Sequence, residues 1–520
     1  MAEERNGTPE GEARTYWAWT ELFRTFQVAL DPKKLVLAAA GIFLMFVGWW
    51  LLALIFDSAR SEPRRSDYDT AYYQKRNSEL TPAQAEAAAV EAYHRDLREY
   101  QTFYALAGHG DTTADAPEWK RHTGDLRIPP WDENRGPNPF LLVTGQEPND
   151  WRGNRGVIDW LLRDQVPVLI EPLFKFLRPI GLLLHPGTGG VTRFYLLLVT
   201  LWTLATWAFF GGAITRLAAV QLAGKDRPGL IETLRFVSAR YVSYLSAPLV
   251  PLVFVALIVV LFVVYGLVLH LWPVLGDVLD SVAFPILVLL GFGQAVLLVG
   301  LVGYPLMYAT VSAEGSDTFD ALSRSYNYVF QSPWNYIWYS LVAVVYGAVL
   351  VFFVVFMGSF VVYLTKWSLS QTPFTDYFSS RRVDNLFAYA PESFHWRELL
   401  VTNPTDLKWW SQISAFTVSL WVTLIFLMMI GFAYSYYFSA FTMVYLLMRR
   451  KVDDTEIDEV YLEEDEPEEP LLPPAPPPPP APAGTSQPLQ MVEAPTLRPV
   501  AAPIAPEAVP PASDGPPVGG

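Results

Sequence analysis

The stretch DTFDALSRSYNYVFQSP, residues 317–333, decides the fold. Phe319, Leu322, Tyr326, Val329 and Phe330 recur at helical spacing and make one apolar stripe. Arg324, Asn327 and Gln331 fall on the other side. Asp317 is an N-cap residue, and Asp320 puts negative charge at the positive end of the helix. Pro333 lacks an N–H and disfavours helix at Ser332, so the helix is expected to stop there. Trp334, Tyr336 and Trp338 follow, as aromatic rings do at headgroup level, and then comes a long apolar run. The pattern predicts a surface amphipathic helix turned by a proline into a membrane span.

The same elbow occurs twice earlier. Trp19, Leu22, Phe23, Phe26 and Leu30 share a face, Asp31-Pro32 ends it, and Lys33 and Lys34 lead into a span at about 35–56. Leu230, Leu234, Val237, Tyr241 and Leu245 share another face, and Pro248 is expected to start a span at 249–270. Further apolar runs lie at about 195–217, 283–308, 337–364 and 413–444. The expected fold is an all-α integral membrane protein. Its six transmembrane helices form three hairpins, each preceded by a cytoplasmic amphipathic helix, and a disordered Pro-rich tail follows.

The remaining segments divide by composition. Residues 1–14 are polar and expected to be disordered; 15–56 hold the first elbow and span. Residues 57–193 form a large polar segment, in which Thr81-Pro82 starts a helix running to about residue 107. Residues 108–156 read as irregular. Val157 to Leu184 is apolar but interrupted by Pro167, Pro172 and Pro179, and Glu171, Lys175 and Arg178 share a helical face. It therefore reads as interfacial, not spanning. Residues 194–448 are the membrane core, with a polar loop at 366–411. Residues 449–520 are a tail, acidic over 453–469 and Pro/Ala-rich beyond, with Pro476 to Pro480 unbroken.

Basic residues at 14–34, 216–240 and 449–451, against none in 271–282, put both termini and the elbows in the cytoplasm. Lys366, Arg381, Arg382, Arg397 and Lys408 in the outer loop run mildly against that rule. The first apolar run starts too far in and is too long for a signal peptide, so it is expected to be kept as a span.

The chemistry is sparse. Of 520 residues 52% are hydrophobic, and none is cysteine, which excludes disulfides and thiolate sites. His94, His109, His122, His185, His270 and His395 have no partner at metal-ligand spacing. Gly187-Thr188-Gly189-Gly190 lacks a phosphate-loop lysine and reads as a turn. No charge falls near a predicted span midplane, which speaks against proton-coupled transport. Gln294 is the most polar residue deep in a span and is expected to bond a neighbouring helix, and Gly291 with Ala295 gives one small-residue pair. Asp320-Ala321-Leu322 begins like the coupling helix of an ATPase-docking permease, but Tyr326 stands where that pattern needs glycine. No catalytic residue, cofactor or metal site is assigned. The net charge of −15, much of it from the acidic run, speaks against nucleic acid as a partner.

FQVALDPKKLVLAAAGI at 26–42, DALSRSYNYVFQSPWNY at 320–336 and YLLMRRKVDDTEIDEVYLEED at 445–465 resemble an uncharacterised multi-pass inner-membrane protein family of planctomycete-type bacteria. The elbow-and-span units are also similar to the membrane domains that accompany some bacterial glycerophosphodiester phosphodiesterases, whose catalytic domain has no counterpart here. The resemblance implies an inner-membrane protein and carries no activity.

The expected function is non-enzymatic: organising partners or lipids at the inner membrane. The alternative is a permease-like transport component with cytoplasmic coupling helices, and a third reading is an enzyme acting outside through residues 57–193. Candidate interfacial or partner-binding residues are Phe319, Leu322, Tyr326, Val329 and Phe330, which contact membrane lipid. The others are Ile457, Val460, Tyr461 and Leu462, which an acidic run repelled from the anionic leaflet would present to a cytoplasmic protein.

Overall fold

The computed structural model describes residues 17–57, 63–76, 81–106, 129–133, 135–145, 157–184, 188–270, 273–371, 382–400 and 407–462. Among these the secondary structure is helical throughout, with no strand. The helices that carry the argument are α1 (Pro32–Asp57), α2 (Glu171–Leu183), α3 (Gly190–Leu222), α4 (Leu230–Ala239), α5 (Tyr241–His270) and α6 (Pro273–Leu301). They continue with α7 (Tyr304–Glu314), α8 (Thr318–Gln331), α9 (Pro333–Ser370) and α10 (Trp409–Val452). Six of them, α1, α3, α5, α6, α9 and α10, are long and apolar enough to cross a membrane. The end of the bundle at which α1, α5 and α9 begin is called the elbow end below.

The 317–333 stretch folds as its residues dictate. The Asp317 carboxylate accepts the Asp320 N–H at 2.9 Å, capping α8. The helix stops at Ser332 (φ −133°, ψ 58°), and Pro333 is the first residue of α9. Upstream, Thr81 and Gln84 close a reciprocal cap at the start of the helix Pro82–Leu106.

The core forms around the second half of α10, where every residue from Met429 to Arg449 is buried. A helix apolar all round must be enclosed by others, and α1, α3, α7 and α9 enclose it. Small residues set the approach. Gly431 lies against the backbone of Leu35 and Ala39, Gly211 against the Phe438 ring, and Gly347 against Tyr436. Hydroxyls then find carbonyls across the contacts: Ser435 Oγ donates to Ala29 O (2.8 Å) and the Tyr436 hydroxyl to Ala343 O (2.9 Å). Between α1 and α3, Trp49 Nε1 donates to Thr203 Oγ1 at 3.0 Å. Lys34, expected only to flank the first span, is fully buried and donates to Val28 O (2.9 Å) and Gln221 Oε1 (2.7 Å).

The helices α5 and α6, which pack on each other, contribute little to this core beyond Tyr244, Ala247 and Leu301. Only 6% of the apolar window of α5 and none of that of α6 is buried, against 61% for α3. The Gln294 amide reaches Val255 O at 3.4 Å, a bond between α6 and α5.

Two boundaries differ from expectation. The fourth apolar run breaks at Val302-Gly303 instead of continuing to Tyr308. Gly300 makes room there for the Tyr326 ring, and Pro305 fits the first turn of α7. The second elbow turns at Arg240, not at Pro248, which lies inside α5. Arg240 Nε donates to Gly315 O at 3.2 Å and its guanidinium stacks 4.2 Å from the Phe236 ring, so the turn is held by contacts made at Arg240.

Candidate functional site

The sequence-predicted site residues gather at the elbow end. On α8 the apolar stripe divides. Val329 is buried, Leu322 and Tyr326 are half-buried, and Phe319 and Phe330 are exposed at 69% and 47%. The Tyr326 hydroxyl donates to Leu297 O at 2.7 Å, tying α8 to α6, and burial pushes its pKa up to about 12. The face that packs on the core is Ala321, Ser325, Tyr328 and Val329, only one of which belongs to the stripe. Arg324 bridges Asp320 (2.9 Å) and Glu314 (2.8 Å).

Ile457, Val460, Tyr461 and Leu462 do not stand away from the bundle. Residues 453–462 fold back as a clasp across the ends of α3, α7 and α10. Val460 is buried, and Ile457, Tyr461 and Leu462 pack against the core. The Tyr461 N–H donates to Ala313 O at 2.7 Å. Its ring covers Gly315 (φ +65°), where a Cβ would sit 2.8 Å from Tyr461 Cδ1. Arg216 Nη1 donates to both Ser312 O and Tyr461 O at 2.8 Å. Arg449 Nη2 donates to Glu456 O at 3.0 Å and to Glu459 O. The Tyr328 hydroxyl donates to the Asp453 carboxylate.

For residues 453–462 this corrects the expectation of an arm standing away from the protein; residues 463–469 of the acidic run lie outside the described residues. Arginines at the helix ends take the clasp's backbone carbonyls in charge-assisted bonds, and Val460 and Tyr461 add apolar burial. Two cavities flank the clasp. One of about 370 Å³ is lined by Glu314, Arg324, Arg449 and Val460, and one of about 290 Å³ by Arg216, Lys225, Arg227 and Leu462.

A second constellation has no counterpart in the sequence reading. Two segments outside the six long apolar helices, 129–133 with 135–145 and 157–184, pack against them, and four charges meet there. Arg135 bonds Glu133 (2.7 Å) and Glu171 (2.8 Å), while Lys175 bonds Glu133 (2.9 Å) and Glu171 (2.5 Å). All four residues are buried. Arg135 Nη1 also donates to Pro130 O and to Ser393 Oγ (3.4 Å), and its guanidinium lies 5.9 Å from the Phe426 ring. Tyr434 donates its hydroxyl to Glu171 Oε1 at 3.1 Å. Tyr434 precedes Arg449 by fifteen residues of α10, about 22 Å along the helix.

Burial alone would raise Glu171, but Arg135 and Lys175 hold its pKa down to about 2. Glu133 moves the other way: its burial raises it against the pull of Lys175 and Arg135. The 157–184 segment thus keeps an exposed apolar side, with Ile158 and Leu162, while the side carrying Glu171 and Lys175 is enclosed. Its charged residues Glu171 and Lys175 point into the protein, and at Ile170 it turns beside Leu169, which packs near Gly347 and Tyr436.

One signal was present in the sequence. Glu171 and Lys175 are spaced i,i+4 in an otherwise apolar, proline-punctuated stretch, as an internal ion pair would be. Glu133 and Arg135 carried none, because apart from each other their partners Glu171 and Lys175 lie over thirty residues away. Comparison with known proteins finds no matching family model, no matching curated protein and no matching solved structure.

Proposed function

We propose that this chain is a non-enzymatic membrane organiser that holds a C-terminal arm at a fixed point on the cytoplasmic face of an inner membrane. On this reading the elbow helices sit against lipid, both termini are cytoplasmic, and the sequence beyond Leu462 is offered to a protein partner. The observation that carries the reading is the clasp. Arg216 and Arg449 fasten residues 456–461 to the helix ends, so the arm leaves from a defined position. Fixing an anchor point lowers the conformational entropy lost when a partner binds.

A permease-like role has one observation in its favour: ionisable groups between spans commonly mark an ion or substrate path. Against it, Glu133, Arg135, Glu171 and Lys175 neutralise one another and their charged groups are turned onto each other. A transport site must leave a charge open for its cargo, so the organiser reading is favoured.

The test is a pair of truncations, after Leu462 and after Lys451, expressed in the native membrane. Loss of cytoplasmic partners from the chain ending at Leu462, with insertion intact, supports the arm; an unchanged partner set overturns it. Sidedness follows from single cysteines in this cysteine-free chain. Ser238→Cys, exposed on α4, is expected to stay unlabelled by an impermeant reagent in spheroplasts, and Thr81→Cys to label. The opposite pattern reverses the orientation.

A further inference from the structure

The cavity of about 290 Å³ between the end of α3 and the start of α4 has a lining that points to a ligand. Lys225 and Arg227 stand on its rim in the turn that joins the two helices, and the Arg227 side chain is 74% exposed. Arg216 lies at its base, stacked 4.0 Å from the Phe236 ring. Lys33 joins from α1: its Nζ donates to Pro228 O at 3.1 Å, and Pro228 lines the cavity. Three carboxylates are also present: Asp31 lies 4.0 Å from the Arg227 guanidinium and accepts from Gln221 Nε2 at 2.6 Å. Glu232 is turned onto its own backbone, accepting the Gly229 N–H at 3.0 Å, and Asp226 is exposed. The cations outnumber them, and they come from three separate elements.

The surroundings select the kind of anion. The cavity opens at the elbow end, where the spans α3 and α5 terminate. Ile231, next in the chain to the cavity-lining Glu232, and Val242, at the start of α5, are exposed at 80% and 72%. Exposed aliphatic side chains next to a basic hollow at a span terminus match a molecule with an anionic head and apolar chains. A free phosphate would make no use of them.

We propose that this hollow binds the phosphodiester headgroup of an anionic phospholipid, with Lys225 and Arg227 as the headgroup contacts and Lys33 beside them. The acyl chains run over Ile231 and Val242. Lipid attraction of this kind acts locally and is screened within a Debye length, so it depends on where the charges sit.

The test uses the full chain, delipidated in a neutral detergent and titrated with fluorescent phosphatidylglycerol. Phosphatidylcholine and inorganic phosphate serve as controls. The expected result is saturable phosphatidylglycerol binding weakened about fivefold by Lys225→Gln or Arg227→Gln alone, and about thirtyfold by both. Both side chains are exposed, so these variants are expected to fold. Arg450→Gln with Lys451→Gln, which removes the same charge at the same end, should leave the affinity within twofold. Equal weakening by the two double variants would reduce the attraction to a diffuse one and overturn the site. Equal binding of phosphatidylcholine, or displacement of the lipid by inorganic phosphate at similar concentration, would also overturn it. So would phosphatidylglycerol binding that arises only after truncation at Leu462, which would assign the hollow to the chain's own acidic run.

Discussion

The two polar constellations sit at different depths and solve the problem of charge in different ways. Against the long apolar helices, Glu133, Arg135, Glu171 and Lys175 are closed on themselves, each cation bonded to both carboxylates. At the elbow end, Arg216 and Arg449 hold backbone carbonyls of the clasp, and their neighbours open onto cavities. Buried charge is tolerated only when every partner is present, because an isolated ion loses its hydration with nothing to replace it. Arg216 and Arg449 are buried as well, but the clasp they hold is a short peripheral segment whose Asp454, Asp458 and Glu459 are exposed, so it can open locally without parting the helices. The first constellation is built to be permanent; the second can release what it holds.

The largest expected effect comes from breaking the quartet on one side only. Glu171→Gln leaves Arg135 and Lys175 sharing a single carboxylate, and the loss is expected at about 3–5 kcal/mol of stability. Thermal unfolding in detergent measures it. Arg135→Met combined with Glu171→Leu leaves the Glu133–Lys175 pair, and is expected to recover much of that loss. A single variant as stable as the parent would show that the four charges are not coupled, and the comparison would fail.

Acid should act on the same group. The Glu171 pKa of about 2 lies below its ordinary value of 4.5, so its stabilising contribution is complete above 4.5 and is lost as pH falls toward 2. Glu133, shifted upward, contributes most below its ordinary value and opposes that trend. The unfolding temperature of the parent should therefore drop on acidification below about pH 4.5. The same curve should flatten in Glu171→Gln. Identical pH profiles for the two proteins would remove Glu171 as the sensitive group.

The clasp should show a smaller, local effect. Gly315→Ala puts a Cβ at a positive φ and against the Tyr461 ring, at a cost of about 1–3 kcal/mol. Because the clasp can lift away, most of that cost should appear as local opening. Trypsin is expected to cleave at Arg449–Lys451 faster than in the parent, with the unfolding midpoint of the bundle nearly unchanged. A matching fall in the global midpoint would show instead that the clasp belongs to the permanent core.

How much of this was legible follows from the range of each interaction. Asp317, Ser332 and Pro333 act over four residues or fewer, and the elbow they define is read directly from them. Six apolar runs of spanning length are equally local facts, and the structure has six such helices. Pro248 misled because a proline in an apolar helix costs a single backbone bond, and the turn was set instead by Arg240 reaching Gly315, seventy-five residues away. The quartet needed Arg135 to find Glu171, and the clasp needed Arg216 to find Tyr461, 245 residues on. No periodicity in one chain encodes such pairings. Val460 and Tyr461 were singled out as apolar positions in an acidic run; which surface they would cover could not be read from them.

The smallest expected effect lies on the outward side of α8, and it tests where that side begins. Asn327 is exposed, while Ser325, two residues earlier, is buried and donates its hydroxyl to Ala321 O at 2.7 Å. Asn327→Asp adds a negative charge near the C-terminal turn of α8, an unfavourable end of the helix dipole, at a cost of about 0.3–1 kcal/mol. Arg324 stands three residues before it on the same helix, and an i,i+3 pair returns about 0.2–0.5 kcal/mol. The two terms nearly cancel, so unfolding should shift by no more than about 0.5 kcal/mol, as for an ordinary surface change. Ser325→Asp puts the same carboxylate into the buried face of the helix, and should cost several times more. Equal losses for the two substitutions would mean that α8 is enclosed on both sides, and that the elbow end is as permanent as the quartet.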